Sequence, residues 1–363
     1  MIGIGIMSGT SADGMDAAAV RISDDRPRPR IELLAHVARS HPDALRYRIL
    51  AVASGAPTTA HDLATLHAVL GDAYAGLARE IVERIGAAPD SIAVHGQTIA
   101  HYPGEHATLQ IGDVSRVAVA LGTPVICDFR SADVALGGQG APLVPFADHL
   151  LFADGTPRAI LNVGGIANLT LLPTGRAQDV TAFDTGPGNM VIDQLARKGG
   201  AEMDRDGAAA ARGSVVENAL AKALVHPYFA KPAPKSTGRE DFGAPFAQAL
   251  LQDVKADGGS LDDAIATATR LTVETIARGL GATRWAELLV AGGGALNPTI
   301  LAQLRTRTGL VIRPTDDFGI PVEAREAAAF AILGVYRLRG EPNTLPRCTG
   351  ATRAVSAGAI HLP

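Results

Sequence analysis

Four short polar, glycine-rich stretches, each at the end of an apolar run, constrain this chain more than any other feature. They are GTSADGMD (9–16), HGQT (95–98), DTGPGN (184–189) and GGGALNP (292–298). A single one says little, since a glycine often only supplies positive φ at a tight turn. Four at strand ends say more, because ligands of open α/β sheets collect there. The first is the clearest. Ile2, Ile4 and Ile6 alternate with small residues, and Ala17 to Ile22 resume an extended apolar run. A plain hairpin between such strands needs about two to five residues. Gly9 to Asp16 is longer and carries hydroxyls and two aspartates, as befits a loop lying against a ligand.

The remaining chain alternates strands with helices. RISDDRPRPRIELLAH reads as two strands about a polar turn at Asp24 to Pro29, and residues 59–86 as a long amphipathic helix ending at Gly86. SIAVHGQTI is a buried strand running into a polar loop; 111–122 is helical and 123–129 a strand. The pattern then restarts: AILNVGGIANLTLLP is strand, Gly turn, strand, and TAFDTGPGN a strand ending in a Gly-rich turn. NMVIDQLARKGG, SVVENALAKALV and Leu261 to Gly281 are helical. ELLVAGGGALNPTILAQLRTRTG is strand, turn and helix, with Asn297 as N-cap and Pro298 at the first helical position. EAREAAAFAILGVYRLRG closes the pattern as an Ala-rich helix. Two strand-rich halves, each with a Gly-turn hairpin followed by helices, predict a two-domain α/β protein with a cleft between the domains, as does a length of 363 residues.

Composition narrows the function. An apolar fraction of 47% with 19% charged residues describes a soluble globular protein. A net charge of −4 argues against a nucleic-acid partner, which needs a basic face. No apolar run reaches the roughly 20 residues that span a bilayer, and no signal peptide is legible, so the expected setting is cytoplasmic, with no membrane partner. Cys127 and Cys348 make no CxxC pair, and the histidines form no HExxH or Cys/His cluster, so neither disulfides nor zinc are expected.

The turns themselves suggest phosphate chemistry. In GTSADG, glycines let the backbone approach a phosphate while hydroxyls and successive N–H groups bind its oxygens, although the stretch is no P-loop. Asp13 and Asp16 suit a hydrated Mg²⁺, which prefers oxygen ligands and keeps several waters, or else form Asx turns. GGGALNP offers a flat platform for a nucleoside, or a simple strand-to-helix turn.

MSGTSADGMD, HGQT, DFR, GQGAPLVP, NVGGIAN, FDTGPGN, KSTGRE, AGGGALNP and the EAREAAAFA helix together resemble the anhydro-N-acetylmuramic acid kinases, in the family's order over nearly the whole chain. One departure is Ala12, where the family often has a larger apolar residue. The resemblance implies the two-lobed actin-like ATPase (ribonuclease H-like) α/β architecture with an interdomain active-site cleft. It implies an N-terminal lobe of residues 1–130, completed by 345–363, and a C-terminal lobe of 131–344. It also implies ATP and Mg²⁺ as cofactors, an amino sugar as substrate and a homodimer.

The implied activity opens the 1,6-anhydro bridge of the sugar with water and phosphorylates the released O6, giving N-acetylmuramic acid 6-phosphate in peptidoglycan recycling. O6 is locked in an ether and has no proton to lose, so the base must act on water. Asp184 matches the family's catalytic aspartate. The residues expected at ATP are Gly9, Thr10, Ser11, Ala12, Asp13, Gly14, Met15 and Asp16, with Gly164, Gly165, Gly186, Gly292, Gly293, Gly294 and Asn297. Asp13 and Asp16 would hold the metal through water. Gln97, Thr98, Arg130 and Glu326 are expected at the sugar, Arg130 meeting either the lactyl carboxylate or the attacking water. His95 reads as structural, and Lys235 and Arg239 as either phosphate partners or a solvated loop.

Two other readings fit the same architecture. A repressor-related N-acetyl-hexose kinase would typically carry a Cys-rich zinc motif, which this chain lacks. A nucleotide-switched assembly protein or chaperone would carry a further polypeptide-binding or filament-forming region, for which HLP, soon after the last helical pattern, leaves no room.

Overall fold

The computed structural model describes residues 1–24 and 28–363, so the middle of the turn expected over Asp24–Pro29 lies outside the described residues. The strands in chain order are β1 (Ile2–Ser8), β2 (Gly14–Ser23), β3 (Arg30–Ser40), β4 (Ser91–Tyr102), β5 (Ala107–Ile111), β6 (Val125–Cys127), β7 (Arg158–Val163), β8 (Ile166–Leu172), β9 (Thr181–Pro187), β10 (Glu287–Ala291), β11 (Val311–Pro314) and β12 (Ala359–His361). The chain divides into two compact units, Met1–Phe152 with Gly319–Pro363, and Ala153–Phe318, each built on its own sheet.

In the first unit β1, β2 and β3 form an antiparallel meander. The helix Ala60–Ile85 follows, and β4 then enters parallel to β1, with β6 parallel to β4. The alternation in IGIGI explains both faces of β1. Ile4 and Ile6 are fully buried and pack into one cluster with Leu66, Leu70 and Tyr74 of that helix. Gly3 and Gly5 meet the helix Arg325–Leu338 on the other face. A Cβ at Gly5 would lie 1.9 Å from the Ala327 carbonyl oxygen, and one at Gly3 2.6 Å from Val335 Cγ2. The Ala-rich helix and the glycine-alternating strand are therefore one packing solution. Thr59 and Asp62 form a capping box at the start of Ala60–Ile85, and Gly86 ends it at φ 61°.

Three expectations change here. HGQT lies inside β4 and not at its end, because β5 pairs with β4 and carries it on from SIAVHGQTI to Tyr102. The following helix consequently starts only at Val114, capped by Asp113. Residues 131–152 and 319–344 belong to the first unit, not the second. The reason is that Arg325–Leu338 lies on β1, and Arg325 Nε donates to Asp148 Oδ1 at 2.9 Å in a buried ion pair with the helix Val144–Phe152. From the C-terminus, β12 pairs antiparallel with β6.

In the second unit β7, β8 and β9 again form an antiparallel meander, followed by β10 parallel to β7 and β11 parallel to β10. The strand order β11-β10-β7-β8-β9 repeats β6-β4-β1-β2-β3 of the first unit. The helix Leu261–Leu280 covers one face: a Cβ at Gly279 would meet Thr185, Leu169 and Phe183 side chains. Asn297 caps the helix Pro298–Thr308, its Oδ1 accepting from the N–H groups of Thr299 and Ile300. Among the described residues no helix is long and apolar enough to cross a membrane.

Candidate active site

In the first unit the turn Gly9–Asp13 follows β1. Ala12 takes a left-handed conformation, φ 53°, and its N–H donates to the Gly9 carbonyl at 3.1 Å. Its buried methyl group is small enough for that position. The N–H groups of Thr10 and Ser11 have no hydrogen-bond acceptor among the described residues, which leaves them available to an anion. Gly14 lets β3 approach, since a Cβ there would lie 2.3 Å from the Arg39 carbonyl oxygen.

Gln97, expected at the sugar, is fully buried and holds this turn. Its Nε2 donates to the Gly9 carbonyl at 3.1 Å, and its Oε1 accepts from Ser8 Oγ at 2.6 Å. Thr98, the next residue along β4, has a buried hydroxyl with no partner among the described residues.

Gly9, Ser11, Asp13, Gly14, Met15, Asp16 and Glu326 line a hollow of about 410 Å³. Asp13 pairs with Arg46 at 2.6 Å and Asp16 with His36 at 3.1 Å. Burial raises the pKa of Glu326, the neighbouring Asp16 carboxylate raises it further, and Arg325 and Arg130 oppose both. These carboxylate and hydroxyl oxygens suit a hard cation such as Mg²⁺, and a cation would relieve the repulsion between Asp16 and Glu326. No group of three or more His, Cys, Asp or Glu among the described residues is placed to hold a metal ion.

Arg130 lies deeper. Its Nε donates to His95 Nε2 at 3.1 Å and its Nη1 to the Gly140 carbonyl at 2.6 Å. His95 Nδ1 donates to the Gly96 carbonyl at 2.8 Å, leaving Nε2 as the acceptor. Burial and then Arg130 push the His95 pKa down to about 3, so the ring is neutral and structural. Burial lowers Arg130 to about 10 against the pull of Glu326 and Asp133, and it stays cationic at neutral pH.

In the second unit three glycine turns gather around the end of β7. Gly188 N–H donates to the Gly165 carbonyl and Asn189 N–H to the Gly164 carbonyl, joining the turns of NVGGIAN and DTGPGN. At Gly292, φ is 77° and a Cβ would lie 2.7 Å from Asn162 Oδ1; at Gly294 a Cβ would strike Val163. Gly293 is open on its Cβ side. Gly186, at φ 148°, makes room for Phe229.

Asp184 sits half-buried on β9. Its Oδ2 accepts from the Thr237 N–H at 3.0 Å, its own N–H donates to the Lys235 carbonyl, and its carbonyl accepts from Tyr228 Oη. The backbone and side chain are thus both held, by KSTG and by Tyr228. Burial, and secondarily Glu240, raise its pKa to about 6 against the Thr237 hydrogen bond. Near neutral pH such a carboxylate is ionised yet basic enough to take a proton.

Two residues that composition and motif reading left without a role share its rung. Asn162 pairs with Asn168, and Asn168 with Asp184, across β7, β8 and β9. Their signal in the sequence is a polar residue inside each of the apolar runs AILNV and IANLTLL.

The sequence model of the anhydro-N-acetylmuramic acid kinase family matches residues 1–363. The chain belongs to this family. The family member named anhydro-N-acetylmuramic acid kinase in Salinibacter ruber is 41% identical over 384 residues, covering 99% of this chain and 96% of its own. The one in Gloeobacter violaceus is 40% identical over 380 residues, covering 99% and 98%. Among solved structures, component A of (R)-2-hydroxyglutaryl-CoA dehydratase from Acidaminococcus fermentans superposes with a TM-score of 0.50 at 12% identity, covering 93% of this chain and 99% of that one. That likeness concerns the fold alone, the two-sheet α/β fold of the actin-like ATPases. Membership in the anhydro-N-acetylmuramic acid kinase family makes the chain a kinase.

Proposed function

We propose that this kinase uses ATP to convert 1,6-anhydro-N-acetylmuramic acid to N-acetylmuramic acid 6-phosphate, adding water and a phosphoryl group in one reaction, as a step of peptidoglycan recycling. The observation that carries the reading is the geometry of Asp184: one carboxylate oxygen accepts from the Thr237 N–H while the other is left to take a proton, in a setting whose burial pushes the carboxyl up to about 6. As water attacks C1, Asp184 takes one of its protons. The C1–O6 bond breaks, O6 attacks the γ-phosphorus with the released electron pair, and the bond from that phosphorus to ADP breaks. Asp184 then returns its proton to solvent.

The free N–H groups of Thr10 and Ser11 support a role for residues 9–16 at the phosphates. The glycine turns at 164–165, 186 and 292–294, with Asn297, would take the rest of the nucleotide. Asp13 and Asp16 would hold Mg²⁺ through water, and the bound ion would neutralise phosphate charge. Thr98, Arg130 and Glu326 would meet the sugar; the unpartnered Thr98 hydroxyl and the charge coupling of Arg130 to Glu326 support this. Gln97 acts one step back, through Gly9. The family resemblance adds a cytoplasmic homodimer, which gel filtration tests.

The decisive assay incubates the protein with ATP, Mg²⁺ and the anhydro sugar and weighs the product. A gain of water and phosphoryl together is expected. A gain of phosphoryl alone, or no product, overturns the proposal.

A further inference from the structure

Asn168 and Asp184 are direct partners across β8 and β9, so their side chains leave the same face of the sheet. The packing confirms the sides: Leu169, Phe183 and Thr185, the neighbours of Asn168 and Asp184 in sequence, all surround Gly279 of the helix on the other face. The register slips by one residue beside this pair, leaving Thr185 as the extra residue of a β-bulge, and its hydroxyl donates to the Ala167 carbonyl at 3.1 Å. Bulges re-aim the side chains beside them. The Asn168 carboxamide has no hydrogen-bond partner among the described residues, although the residue is half-buried. Asn162, one strand further, differs: its Oδ1 lies where a side chain at Gly292 would stand, so it belongs to the glycine turn.

We propose that Asn168 is a water-positioning residue, its carboxamide and the Asp184 carboxylate together holding the water that attacks the anomeric carbon. The inference rests on the reaction proposed above. Directly opposed side chains have Cβ atoms about 4.5–5.5 Å apart, a gap that one water can bridge between their tips. The water donates one hydrogen to the free oxygen of Asp184 and the other to Asn168 Oδ1, which leaves a lone pair for C1. On attack the first proton passes to Asp184, the second stays on the new C1 hydroxyl, and Asn168 is unchanged. A carboxamide suits this place because it accepts a hydrogen without charge. A second carboxylate would raise the proton affinity of Asp184 by repulsion.

The test uses the full chain and compares wild type with Asn168→Ala and Asn168→Asp. For Asn168→Ala, kcat falls about 10- to 100-fold while KM for sugar and for ATP stay within about threefold, since only the orientation of the water is lost. For Asn168→Asp, the acid limb of the kcat profile moves to higher pH, as the direct opposition of the two side chains requires. Wild-type kcat in Asn168→Ala overturns the inference, as does a raised KM for sugar with unchanged kcat or an unmoved limb in Asn168→Asp. Should the alanine variant fail to fold, Asn168→Ser, whose shorter side chain cannot reach the same water, is held to the same kcat and KM outcomes. If the wild type makes no product, the reaction itself fails; if it does and Asn168→Ala matches it, only the role of Asn168 fails.

Discussion

Replacing Asp184 by Asn separates the two consequences of burying that carboxylate. Folding raises its pKa from the ordinary 3.8 to about 6, mainly by desolvation, which corresponds to about 3 kcal/mol against the ionised form. The native state therefore holds the proton more tightly than the unfolded chain. Stability is lost as pH rises through the window from 3.8 to about 6, and the whole penalty stands at neutral pH. Asparagine has the same shape, can still accept from the Thr237 N–H and carries no charge. Asp184→Asn should thus be more stable than wild type at about pH 7.5, by up to about 3 kcal/mol, with the gap closing near pH 4. Its turnover should fall by about 10²–10⁴, the usual contribution of a general base. Urea unfolding followed by circular dichroism at both pH values, with ADP release as the activity assay, reads both effects. A variant that keeps more than about a tenth of wild-type turnover would refute the base assignment. One less stable than wild type at neutral pH would refute the desolvation account.

The rate of the wild-type enzyme should fall as pH drops through about 6, where Asp184 takes up its proton, and the residual activity of Asp184→Asn should lack that limb; pH–rate profiles of both proteins check this. Gln97→Ala should raise KM for ATP by about tenfold and leave KM for the sugar nearly unchanged, because the lost amide supports Gly9 rather than the sugar; the opposite pattern would return Gln97 to the sugar. Gly5→Ala drives a methyl group to 1.9 Å from the Ala327 carbonyl oxygen, between backbone atoms that cannot rotate away. It should cost at least about 3 kcal/mol, the upper part of the usual overpacking range; a wild-type melting temperature would contradict that packing.

Much of this was legible because the relevant signals are local. The capping box before Ala60–Ile85, Gly86 behind it, Asn297–Pro298 at the start of the next-to-last long helix and the Gly pair between β7 and β8 each specify their own element. The hold of Gln97 on Gly9 was not legible, since the two lie 88 positions apart and meet only where β4 pairs with β1. The lobe boundaries were misplaced for a similar reason: Arg325 finds Asp148 across 177 positions, and no local pattern announces such a pair. The helices Asp43–Ala53 and Ala244–Ala256 went unread, the first because only Ile49 of its residues is buried and its apolar pattern is correspondingly weak. Asn168 carried a signal in its sequence, a polar residue in an apolar strand, but its meaning depended on register, which only the pairing with Asp184 supplies.

The central claim is that Asp184 activates water to open the sugar, so that O6 rather than water attacks phosphorus. Turnover of the anhydro sugar in heavy-oxygen water, with the product analysed by mass spectrometric fragmentation, tests it most directly. The account predicts one heavy oxygen at C1 and none in the phosphate; label in the phosphate, or an unlabelled C1, would contradict it.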